Sequence, residues 1–113
     1  MENYVDILVR RAEMVKNWRE YVSSLAEAVR AIIPGSRVYV FGSVVEGRST
    51  GGSDVDVLIV SERIPRGNQE RARLKVRIEE LSSLPPYHPF ELHLADREEG
   101  EWYFKRVGEL IEI

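Results

Sequence analysis

Two aspartates separated by one valine, Asp54-Val55-Asp56, head an apolar run that continues Val57-Leu58-Ile59-Val60, and ten residues separate Asp54 from Gly42-Ser43. The alternation predicts a β-strand from Asp54 to Val60, on which side chains two apart leave the same face. Both carboxylates then meet at one point, where like charges repel unless a cation sits between them. Aspartate is a poor strand former, and the chain uses it only four times (Asp6, Asp54, Asp56, Asp96) against fifteen Glu. Its short stem holds the oxygens rigidly near the backbone, which suits the octahedral shell of Mg2+ at about 2.1 Å. The pattern predicts a Mg2+ site for a nucleotide, with Asp54 and Asp56 as metal ligands and catalytic groups.

Gly42-Ser43 follows a predicted strand, Arg37-Val38-Tyr39-Val40-Phe41, and precedes a helical turn over Val44 to Gly47. Free backbone N–H groups, a hydroxyl and a residue without Cβ at such a turn make a phosphate cradle; a plain turn with a Ser N-cap has the same sequence. The spacing to Asp54 favours the cradle. Glu91 lies on the outward face of Phe90-Glu91-Leu92-His93-Leu94, which alternates as a third strand. If that strand lies beside the Asp pair, Glu91 completes a three-carboxylate cluster able to hold two metals. His93 shares its face and reads as a supporting or solvated residue, His88 as structural or exposed, and Asp96 as a helix cap. Arg48, in the loop between Gly-Ser and the Asp pair, is a phosphate-binding candidate by position. The basic run Arg63, Arg66, Arg71, Arg73, Lys75, Arg77 could meet phosphates or RNA, or simply face solvent.

The elements that must position these groups follow from periodicity and breakers. Apolar residues from about Tyr4 to Ile33 recur at helical spacing and predict one amphipathic helix of about 45 Å, stopped by Pro34-Gly35. A helix of that length exceeds what a three-stranded sheet covers, so part of its stripe could face a partner. A second long helix is expected from Asn68 to Leu84, before Pro85-Pro86. Asp96 with Glu99 forms a capping box for a last helix through Trp102, Tyr103 and Val107. The expected order is αβ(α)βαβα: an α+β fold of α/β-like pattern, with a small mixed three-stranded sheet.

The bulk numbers bound the function. At 113 residues the chain is expected to be one domain, 1–113. A net charge of −3 argues against bulk binding to duplex nucleic acid. The absence of Cys excludes disulfides and thiolate metal sites. No apolar run approaches the roughly 20 residues of a membrane span and no signal peptide is read, so the expected location is the cytoplasm.

Gly42-Ser43, ten residues, then Asp54-Val55-Asp56, preceded by the Val38–Phe41 strand, flanked by Gly47 and Ser53 and followed by Glu91, resembles the nucleotidyltransferase superfamily of DNA polymerase beta and the aminoglycoside nucleotidyltransferases. The resemblance spans essentially the whole chain and is strongest to the minimal (MNT) nucleotidyltransferases of prokaryotes. It implies an antitoxin paired with a HEPN-domain toxin, transferring AMP from ATP to a tyrosine of that toxin. By position, Asp54, Asp56 and Glu91 would bind Mg2+, as two ions in the family's manner, and Gly42 and Ser43 would hold the nucleotide phosphates. Glu91 is longer than the Asp often third in the family, and the loop from Arg48 to Gly52 is unusually Gly-rich. Two other readings stay open: a non-catalytic module that neutralises its partner sterically through the long helix, and a nucleotidyltransferase acting on RNA or a small molecule. Homo- or hetero-oligomers are compatible with each.

Overall fold

The first helix starts where the chain offers its own cap. In the computed structural model, which describes residues 2–113, the Asn3 side chain accepts from the Asp6 backbone N–H at 2.9 Å and Asp6 reciprocates, opening α1 (Tyr4–Lys16). The single helix expected over Tyr4–Ile33 is in fact two. At Asn17 the backbone leaves the helical region (φ −103°, ψ 32°), and the chain restarts as α2 (Trp18–Ile32). Asn has weak helix propensity, and the break falls at this one residue. The apolar stripe Met14, Val15, Trp18, Val22, Leu25, Ala26 and Val29 runs through the bend and is buried, whereas Tyr4, Val5, Leu8 and Val9 stay exposed.

β1 (Arg37–Phe41) leads into a short α3 (Ser43–Glu46), and β2 (Val55–Val60) begins one residue after Asp54. α4 (Asn68–Leu81) stops three residues before the expected Leu84, because Ser83 takes a left-handed conformation and the Leu84 N–H returns to the Glu79 carbonyl. β3 (Phe90–Ala95) and α5 (Arg97–Arg106) follow, with the capping box of Asp96 and Glu99 formed.

The sheet has four strands in the order β3-β2-β1-β4, not three. The additional strand, β4 (Ile111–Glu112), is two residues long and pairs antiparallel with Tyr39 and Val40. Two residues cannot display a period, so no sequence pattern announces it. β1 and β2 are antiparallel, and β2 and β3 are parallel through the α4 crossover. The fold is mixed α+β. One sheet face (Val38, Val40, Val55, Val57, Ile59, Phe90, Leu92, Leu94) packs on α1, α2 and α4 as the main core. The other carries Tyr39, Phe41, Leu58 and Ala95 toward α5, with Tyr103 and Leu110 against them. Among the described residues no helix is long and apolar enough to cross a membrane.

α5 is held close by two features. A Cβ on Gly100 would stand 2.9 Å from Val60 Cγ1, so only glycine permits this helix-to-sheet distance. Arg71 grips the first turn, donating to both Glu99 oxygens at 2.9 and 2.6 Å and to the Pro65 and Leu94 carbonyls. The Arg71 guanidinium, with the Asp96 backbone N–H, lowers the Glu99 carboxyl to about 2. A depressed carboxylate contributes stability above its unfolded pKa of about 4.5 that is lost as pH falls toward 2. Because the Glu99 side chain is 43% exposed, solvent screening reduces the contribution to about 1 kcal/mol. Glu99→Gln should therefore lower the denaturation midpoint at pH 7 and lose most of that effect as pH falls to about 2, as compared by thermal melts at the two pH values.

Candidate active site

β1 ends at Phe41, whose Cα partner across the ladder is Asp56; Asp56 in turn pairs with Glu91 on β3. Three consecutive strands thus bring the chain's turn at Gly42 and the carboxylates of Asp56 and Glu91 to one end of the sheet. Since side chains alternate, Phe41, Asp56, Glu91 and His93 share the face that α5 only partly covers. Asp56 and His93 are half-buried and Glu91 is exposed.

Gly42 adopts φ +89°, ψ −157°, a region that side-chain-bearing residues avoid. Its missing side chain has a second consequence, because a Cβ there would collide with Asp56 Oδ2. The Gly-Ser turn and the Asp56 carboxylate are consequently one packed unit. The Gly42 carbonyl accepts from the N–H groups of Val45 and Glu46, both at 3.1 Å, so α3 starts at this point.

Asp56 Oδ1 lies 3.1 Å from His93 Nε2, and His93 Nδ1 lies 3.4 Å from the Tyr103 hydroxyl. Rings of Phe41 and Tyr103 stand 5.3 and 5.8 Å from the imidazole. Burial pushes the Tyr103 hydroxyl above its ordinary range, and the charges of Glu99, Asp56 and Glu91 add to that. The phenol therefore keeps its proton at neutral pH. One ligand atom each from Asp56, Glu91 and His93 lie within 4.8 Å of one another. Ligands on opposite sides of a Mg2+ ion stand about 4.2 Å apart, so carboxylate oxygens within 4.8 Å of each other are close enough to reach a shared divalent cation, whose hard-oxygen chemistry they suit.

Asp54 is placed differently from the expected convergence. Its Oδ1 accepts from Arg11 Nη2 at 2.6 Å, while Arg11 Nη1 donates to the Ser53 carbonyl at 3.0 Å. Asp54 is 60% exposed and stands outside the Asp56, Glu91, His93 group. The reason is that α1 lies against the 48–53 loop, where a Cβ on Gly51 would stand 3.0 Å from Ala12 Cβ and Arg11 reaches Asp54. Arg48 is exposed and pairs with Glu46 at 3.0 Å. The basic run divides: Arg71 is committed to Glu99, and Arg63, Arg73 and Arg77 border a separate hollow with Ile32 and Ile33. Lys75 turns toward a cavity of about 430 Å3 at the outer edge of β3, which it lines with Asn68, Glu91, His93 and Tyr103. His88 binds Glu79 at 2.7 Å and accepts from the Phe90 N–H, a structural role.

Sequence reasoning missed two residues of this site. Arg11 lies 43 positions before Asp54, and nothing local marks it. Tyr103 reads as one more apolar position of a helix. Arg11→Gln removes a positive charge beside the carboxylates and should raise divalent-cation affinity about threefold at low ionic strength, less at high salt. Calorimetric titration with Mg2+ checks this; an unchanged affinity would confine Arg11 to shaping the loop.

Residues 22–107 match the family described as nucleotidyltransferase domain. No curated protein matches the chain. Two solved structures share the fold, each described as a "putative nucleotidyltransferase". One is 24% identical with a TM-score of 0.62, over 82% of this chain and 97% of its own. The other, from Sulfolobus solfataricus, is 21% identical with a TM-score of 0.53, over 96% and 83%. The matched segment holds the Gly-Ser turn and the paired carboxylates as well as the strands that align them, and this chain belongs to the nucleotidyltransferase domain family.

Proposed function

We propose that the chain is a Mg2+-dependent adenylyltransferase that moves AMP from ATP to a hydroxyl, the acceptor being a tyrosine of a HEPN-type toxin for which it serves as antitoxin. The observation that carries the reading is the register of Asp56 against Glu91 on adjacent strands, one position from Gly42-Ser43. Asp56 and Glu91, joined by Asp54 once it leaves Arg11, would hold Mg2+, which when bound neutralises charge developing on the reacting phosphates.

The chain's own residues do the rest. Gly42 and Ser43 seat the phosphates, and Arg48 in the neighbouring loop adds a positive charge toward them. The acceptor hydroxyl oxygen forms a bond to the α-phosphorus as the bond to the bridging oxygen breaks, and pyrophosphate leaves with that electron pair. With Asp56 engaged by His93, the exposed Glu91 carboxylate takes the hydroxyl proton. Holding the reactants in line supplies most of the rate. The cavity beside Glu91 gives the acceptor a way in on the side of β3, away from the Gly-Ser turn.

The test is transfer of label from α-labelled ATP, with Mg2+, to a co-purified partner, beside Asp54→Ala and Asp56→Ala controls. Label on a partner tyrosine that vanishes in the controls supports the reading; label on RNA instead redirects the acceptor class. A second reading, a module that blocks its partner sterically, is favoured by the exposed Tyr4, Val5, Leu8 and Val9 on α1. Neutralisation that survives the double replacement of Asp54 and Asp56 by Ala would establish it.

A further inference from the structure

Asp56 is gripped from two sides. Oδ2 rests where a Gly42 side chain would otherwise stand, and Oδ1 meets His93 Nε2 at 3.1 Å. An ionised carboxylate only accepts hydrogen bonds, so in the neutral imidazole Nε2 carries the hydrogen and has no lone pair for a cation. Nδ1 is then the acceptor, and the group facing it is the Tyr103 hydroxyl at 3.4 Å. A protonated phenol is the donor that this arrangement requires. Tyr103 itself is set by the fold, because α5 is pinned by Arg71 on Glu99 and by Gly100 against Val60. Both imidazole nitrogens are thereby occupied, and the ring is walled by Phe41 and Tyr103.

We propose that His93 is a positioning residue and not a metal ligand: locked in its Nε2–H tautomer by Tyr103, it orients the Asp56 carboxylate so that Asp56 and Glu91 receive the divalent cation. This rests on the reading of Asp56 and Glu91 as the cation-binding pair. Partners that orient a ligating carboxylate typically change metal affinity or activity by about 10- to 100-fold when removed. The nitrogen of a glutamine amide can take the place of His93 Nε2 as a donor, whereas alanine offers none. The two substitutions therefore separate orientation from coordination.

Three measurements on the full chain decide the matter, with Mn2+ as the probe. Nitrogen-15 NMR of the metal-free protein should show hydrogen on Nε2 of His93, with Tyr103→Phe giving mixed tautomers; a dominant Nδ1–H form would overturn the proposal. Pulsed EPR of bound Mn2+ should show no nitrogen-14 coupling from the His93 imidazole. A coupling present in the wild type and lost in His93→Gln makes His93 a ligand and removes this proposal alone. Mn2+ affinity should fall about 10- to 100-fold in His93→Ala, stay within about threefold of wild type in His93→Gln, and fall about two- to tenfold in Tyr103→Phe. Tyr103→Phe should be silent in the His93→Gln background; an equal loss in both backgrounds would show that Tyr103 acts through general packing. Wild-type protein that binds no Mn2+ would refute the cation-pair reading itself, and this proposal with it.

Discussion

Asp56→Asn is expected to abolish nucleotidyl transfer while leaving the fold intact. The amide keeps an oxygen that can accept from His93 Nε2, at 3.1 Å in the wild type, and it fills the same space beside Gly42. What it removes is one negative charge from the pair facing Glu91 across the β2–β3 ladder. Charge stabilisation at such a site is worth several kcal/mol, so the rate should fall by about three orders of magnitude at about 1.4 kcal/mol per decade. Stability should change by no more than about 1 kcal/mol, because relief of repulsion between the two carboxylates offsets the weaker hydrogen bond. Label transfer from α-labelled ATP and a thermal melt, run on the same preparation, test both halves. Activity above a few per cent of wild type would remove Asp56 from the chemistry, and a collapsed melt would make its role structural.

The second large effect is expected at Gly42, where catalysis and stability fail together. Alanine at φ +89°, ψ −157° is strained, and its Cβ collides with Asp56 Oδ2. Backbone strain of this kind costs about 1–3 kcal/mol and overpacking a similar amount. Gly42→Ala should therefore lose about 3 kcal/mol, a fall in Tm of roughly 10 °C or more for a chain of this size. Asp56→Ala provides the diagnostic background, since it deletes the atoms that the new Cβ meets. In that background Gly42→Ala should cost distinctly less, and the remainder measures the backbone strain alone. An equal cost in both backgrounds would show that the turn and the carboxylate are independent. The nucleotidyltransferase motif would then join two neighbours without joining their energetics.

Much of this architecture is written locally. The alternation of Val55-Asp56-Val57 and of Phe90-Glu91-Leu92-His93-Leu94 is a property of single strands: it sets Asp56 opposite its valines, and Glu91 with His93 opposite Phe90, Leu92 and Leu94, before any pairing of β2 with β3. Caps are equally local: Asp96 with Glu99 closes within one turn of helix, and the structure contains that box. The Gly-Ser turn is legible for the same reason, since it depends on the conformation of one residue. These signals suffice for an α+β nucleotidyltransferase core and for the alternation of its acids with apolar residues along each strand.

What they leave open depends on distances between segments far apart in sequence. The break at Asn17 lies within a continuous apolar stripe, so periodicity runs through it, and the contact of Arg11 with Asp54, 43 positions on, is made only by packing α1 against the 48–53 loop. The pairing of β4 with β1 is made by two residues that show no pattern of their own. The tautomer of His93 is set by a phenol on another element, brought within 3.4 Å because Gly100 and Arg71 hold α5 against the sheet. Composition and spacing thus determined which residues are available for chemistry and which face they occupy. Tertiary packing alone decided which acids stand together and which is held apart by an arginine, because charge pairing and hydrogen bonding act over a few ångströms of space and are blind to separation along the chain.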